Sequence, residues 1–151
     1  MIFGLVLTTW LTATVAHADT PLPHVAALFS LGETRVAPNG KATIHRIAGK
    51  EEGAKNAFFG VLEIQPGAKV PLHRDATEEY LYLVTGQGNL TIDGVTTAIK
   101  SGFGVFMPAN AEVTFEATGT EIIQAVQFFA GQGPETKYDQ WTVSITPPQE
   151  G

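Results

Sequence analysis

The sequence predicts an all-β fold, a barrel or sandwich of short strands in a single domain. Three observations carry this. From Lys41 onward, short apolar or alternating runs sit between turn residues. No long amphipathic helix interrupts them. And Asp93-Gly94 stands between two alternating runs, a two-residue hairpin signal, because a type I′ turn needs positive φ at both central residues.

The runs follow in order. They are ATIHRIA (42–48), AFFGVLEI (57–64), KVPLH (69–73), EYLYLV (79–84), NLTIDGVTTAI (89–99), FGVFM (103–107), EVTFEA (112–117), EIIQAVQFF (121–129) and WTVSI (141–145). The breaks between them include Gly49, Gly53, Pro66-Gly67, Gly86-Gln87-Gly88, Ser101-Gly102, Pro108 and Gly119. About nine strands at this spacing fit one sandwich or barrel. Ahead of them, residues 19–40 read as a lead-in, in which VAALFSL (25–31) suits either a short helix or an edge strand. Pro147-Pro148 closes the last strand into a polar tail, residues 144–151.

The first 18 residues have a different texture. Met1 to Ala18 is apolar, carries no Lys, Arg, Asp or Glu, and ends Ala16-His17-Ala18, a small-x-small pattern. The positive start usual in export signals is missing. The stretch is short for a membrane span and rich in Thr and Ala. The expectation is a cleaved signal over 1–18, with an exported chain, periplasmic or secreted, starting at Asp19 and not inserted in a membrane.

Bulk properties narrow the function. With 151 residues the chain can bury a sizeable core. A net charge of -6 excludes a basic nucleic-acid surface and disfavours an anionic membrane. The absence of cysteine removes disulfides, thiolate nucleophiles and Cys-type zinc sites.

The chemistry concentrates in VPLHRDATEEYLYLVTGQG, residues 70–88. With Gly67 it offers Gly, five residues, His73-Arg74-Asp75, three residues, Glu79, six residues, Gly86. This resembles the first signature motif of the cupin superfamily, with Asp75 at the second histidine. GFGVFMPANAEVTFEA (102–117) is similar to the second motif. Gly102 and Pro108 match, Asn110 replaces a glycine, Val113 stands at the histidine position and Ala117 at the asparagine. Asn tolerates the left-handed backbone that glycine supplies there.

The resemblance covers about residues 41–143 and implies a cupin jelly-roll β-barrel with a central pocket. In metal-bearing cupins it implies three ligands from the first motif and one from the second. The corresponding positions here are His73, Asp75, Glu79 and Val113, and valine coordinates nothing. The resemblance implies dimers by sheet pairing, and that the segment after the barrel, with Tyr138 and Trp141, anchors to the fold or to a partner copy.

Strand geometry sets an expected pocket. His73 and Asp75, two apart on one strand, face the same way about 7 Å apart. Glu79, Leu81 and Leu83 share a face, as do Val113 with Phe115, and Gln124 with Phe128. Tyr80 and Tyr82 face the other side. The pocket expected from these residues is mostly apolar, with a few polar groups converging on a small-molecule ligand.

Three readings stay open at this level. His73, Asp75 and Glu79 hold one divalent ion, Mn, Fe, Ni or Zn. Or there is no metal, and the same residues form an acid/base or binding pocket. Or the site has decayed, with Asp75 capping a turn and Glu79 paired at the rim to Arg74 or Lys69. An outer face carrying Tyr80, Tyr82 and Trp141 allows a non-catalytic interaction module instead. His45, a lone strand histidine, reads as structural.

Overall fold

The computed structural model describes residues 33–144, and the expected signal (1–18), VAALFSL and the tail beyond 144 lie outside them. Eleven strands form among the described residues. They are β1 (Glu33–Val36), β2 (Ala42–Ala48), β3 (Phe58–Ile64), β4 (Lys69–His73), β5 (Glu78–Thr85), β6 (Gln87–Ile92), β7 (Val95–Lys100), β8 (Gly104–Met107), β9 (Val113–Ala117), β10 (Ile123–Ala130) and β11 (Thr142–Ser144). A 3-10 helix, Pro134–Gln140, separates β10 from β11.

All strand pairs are antiparallel and fall in two sheets. One has seven strands in the order β11-β1-β2-β3-β10-β5-β8, the other four in the order β4-β9-β6-β7. The sheets face each other as an all-β jelly roll. The strand β1 begins the fold earlier than the expected boundary at 41. Its sequence, Glu-Thr-Arg-Val, is too short and polar to show alternation, and it is held by pairing with β2 and β11.

Local signals explain the turns. Asp93 (φ 47°) and Gly94 (φ 80°) both take positive φ in the β6–β7 hairpin, where Ile92 pairs Val95. Asn110 sits at φ 63°, the conformation expected of a glycine substitute there. Gly88 marks a close approach of β6 and β9: a Cβ at that position would lie 2.2 Å from the Phe115 ring.

Three buried clusters fill the interior. Leu83, Leu90, Ile99, Met107, Val113 and Ala125 pack between the sheets. Ile44, Phe58, Phe129 and Tyr138 fasten the 3-10 helix to the large sheet, with Trp141 packed alongside. Ile64, Ala68, Ala117 and Ile123 close the far end. Burial of such side chains contributes roughly 1.5–3 kcal/mol each.

Candidate functional site

His73 is the last residue of β4 and pairs in register with Val113 of β9. Its Nδ1 lies 2.9 Å from the Pro71 carbonyl oxygen. Donation to that carbonyl orients the ring so that Nε2 faces Asp75. Asp75 is in the loop after β4 rather than on the strand. The Asn110 amide donates to its backbone carbonyl at 2.7 Å and fixes the loop. The bend brings Asp75 Oδ2 to 3.8 Å from His73 Nε2, closer than the 7 Å expected of one straight strand.

Glu79 is the second residue of β5, and its side chain is 5% exposed. Leu81 and Leu83 follow it on the same face and line the same cavity. One donor atom from each of His73, Asp75 and Glu79 lies within 4.8 Å of the others. Glu79 does not pair with Arg74 or Lys69: these bind Glu112 and Glu116 at the surface. Gln127 of β10 donates from Nε2 to Glu79 Oε1 at 2.6 Å. Tyr138 of the 3-10 helix donates to Gln127 Oε1 at 2.7 Å. Lys137 places Nζ 2.8 Å from Asp75 Oδ2. Lys137, Asp75, Glu79, Gln127 and Tyr138 thus form a ring that closes through the helix backbone.

The electrostatics follow from this ring. Burial pushes the Glu79 carboxyl up from its ordinary 4.5 to about 7. The Lys137 ammonium and the Gln127 hydrogen bond oppose that rise, and the neighbouring Asp75 carboxylate adds to it. Tyr138, fully enclosed, is also raised well above its ordinary value, chiefly by burial and then by Glu79.

The ring forms one wall of a cavity of about 850 Å³. Leu81, Leu83, Val113 and Phe115 line it, as the alternation predicts. Gln124 and Phe128 do not. They lie on the outer face of β10, where Phe128 is 38% exposed and meets Tyr80 edge-on at 6.2 Å. Ala125 and Gln127 face inward instead. The β10 run is apolar on both faces, so alternation could not choose between them. Its two glutamines, on opposite faces, were the available signal, and the inward Gln127 was missed. Lys137 was missed because nothing in GPETKYDQW shows where a helix turns its side chains. Tyr80 and Tyr82 are outward, at 40% and 52% exposure. Trp141 is not part of that outer face but packs on Tyr138 at 4.9 Å. His45 does not line the cavity and bonds Thr34 through Nδ1 at 3.0 Å.

The donor set does not complete the four-ligand metal site that the sequence resemblance implies. Val113, 7% exposed and directly across from His73, supplies only methyl groups. The Asp75 oxygen that faces His73 is already held by an ammonium.

Residues 60–129 match the family model of the cupin domain. The chain belongs to the cupin superfamily. Over 66 residues this cupin is 33% identical to the dimethylsulfoniopropionate lyase DddW of Ruegeria pomeroyi, a match spanning 44% of this chain and 43% of that protein. The cupin spans about half the length of the curated relatives it matches, from 43% to 54%. Among solved structures it resembles the polyketide cyclase RemF of Streptomyces resistomycificus, with a TM-score of 0.63 at 16% identity, over 72% of this chain and 80% of that one. It also resembles an RmlC-like cupin of Shewanella frigidimarina, with a TM-score of 0.62 at 14% identity, over 72% and 92%.

Proposed function

We propose that this cupin binds a small organic molecule in its barrel cavity and moves a proton on it with the Asp75–Glu79 carboxyl pair. The observation that carries this reading is the ring at the cavity wall. It holds two carboxyl groups but one lysine, and each member is fixed by a neighbour. Such a wall can keep a proton on one carboxyl while the other stays ion-paired, which separates an acid from a base. The rest of the cavity wall is largely apolar and excludes water from a bound molecule. Elimination and isomerisation need such a pair, one group to take a proton and one to return it. The likeness to a lyase supports this class of reaction.

The test is incubation in deuterium oxide with dimethylsulfoniopropionate, small hydroxy and keto acids, and phenolic polyketides. Product formation and deuterium incorporation are read by mass spectrometry. Activity should fall on the order of 10²-fold in Glu79→Gln. Full activity in that variant would sink the reading.

A second reading is favoured by one observation: the three donor atoms converge within 4.8 Å, with His73 oriented by Pro71. In it His73, Asp75 and Glu79 hold a divalent ion, whose chemistry would be Lewis-acid polarisation of a bound oxygen. Metal content of the protein isolated without chelator separates the two. We place this chemistry outside the cytoplasm on the strength of residues 1–18. Cell fractionation, with N-terminal sequencing beginning at Asp19, checks it.

A further inference from the structure

The same oxygen, Asp75 Oδ2, faces two groups: His73 Nε2 at 3.8 Å and Lys137 Nζ at 2.8 Å. An ion bridging His73 and Asp75 through the oxygen that faces the histidine would compete for it with the ammonium that already holds it. We infer that Lys137 is the built-in cation of the site, taking the electrostatic place of a divalent metal ion and keeping such an ion out. The inference rests on the metal-free reading above and names the residue that enforces it.

Lys137 is held in place by its surroundings. Its Nζ sits 4.8 Å from the centre of the Phe129 ring and 5.6 Å from that of Tyr138, both attractive faces for a cation. The 3-10 helix that carries it is pinned by Tyr138, which is 2% exposed, hydrogen-bonds Gln127 and packs on Phe58 at 6.0 Å. The anchor fixes the Lys137 backbone, and the Asp75 carboxylate with the two rings holds its ammonium at the site. A metal ion entering beside it would meet a like charge. Across the site, Val113 offers no ligand to compensate. In this scheme Lys137 is a positioning residue: it acts through Asp75, which it holds in place beside Glu79.

The experiment is equilibrium dialysis of the purified chain against Mn²⁺ or Zn²⁺ at neutral pH. The proteins are the wild type, Lys137→Met, Lys137→Ala and Lys137→Arg, with folding checked by circular dichroism. Lys137→Met should bind a single ion about tenfold more tightly than the wild type or better, because the carboxyl pair loses its competing cation. Lys137→Arg, which keeps the charge, should behave like the wild type. Adding His73→Ala to Lys137→Met should remove the gain. If Lys137→Met does not fold, the comparison is read on Lys137→Ala. Equal affinity in every variant overturns the inference, as does a gain that survives loss of His73. A wild type already holding a full equivalent of metal overturns the inference and the metal-free reading together. Absence of binding in all variants overturns the inference alone, since the proton-transfer assay needs no metal.

Discussion

Two charged clusters meet at the 3-10 helix, through Lys137 and Asp139, two positions apart in sequence, and they differ in charge balance. On the outer side Asp139 binds Arg46 at 2.9 Å and Arg35 at 3.3 Å, and Glu33 joins both arginines. Two cations face two anions. On the inner side one lysine, Lys137, serves both Asp75 and Glu79, with the His73 ring on the far side of Asp75. The balanced cluster raises Arg35, mainly through its hydrogen bond to Glu33, and holds its charges fixed. In the unbalanced cluster Glu79 is buried and one lysine serves two carboxyl groups, so Glu79 keeps a proton to about pH 7. A balanced ion cluster fastens the fold, whereas an unbalanced one stores a proton where a ligand can reach it.

The largest expected effect tests the imbalance directly. Glu79 is raised in the folded chain, so the folded state holds its proton more tightly than the unfolded state. The associated stability is fully present below pH 4.5 and is lost as pH rises to about 7. The shift corresponds to roughly 3 kcal/mol. Glu79→Gln mimics the protonated form, so thermal melts should show it gaining up to about that much over the wild type at pH 8. Near pH 4 the gain should vanish. The same titration predicts that turnover relying on protonated Glu79 declines above about pH 7.

Next in size is the balanced cluster. Arg46 is 4% exposed, and Arg46→Met should cost about 2 kcal/mol in urea unfolding by leaving Asp139 and Glu33 short of a partner. It should leave the pH profile of the cavity unchanged. A shifted profile would show that the two clusters are one network.

A smaller effect is expected from Tyr138→Phe, which removes the hydroxyl bonded to Gln127. Loss of that hydrogen bond should cost about 1 kcal/mol and loosen Gln127 from Glu79. The smallest concerns Val113. Val113→His alone should leave metal content unchanged while Lys137 is present. Combined with Lys137→Met, it should bind Zn²⁺ more tightly than the single Lys137 variant. Metal analysis of the two proteins side by side checks this.

The barrel was legible because its signals are local. Period-two apolar runs, the Asp93-Gly94 turn and a left-handed Asn110 each follow from a few adjacent residues. The inward face of β5 was legible too, since Glu79, Leu81 and Leu83 alternate with two tyrosines whose polar ends prefer water. The face of β10 was not legible, because both of its faces are apolar and only its partners β3 and β5 decide which one meets the cavity.

By itself, then, the sequence determined the all-β fold through its strand spacing, and its likeness to the cupin motifs put His73, Asp75 and Glu79 in one site with a valine, Val113, at the remaining ligand position. Only the tertiary structure decided that Gln127 and Lys137 complete the site. Lys137 lies 62 residues from Asp75 in the chain, and their contact depends on how a helix packs on a sheet. It also decided that Glu79 holds a proton to about pH 7, because desolvation is a property of everything packed around a group.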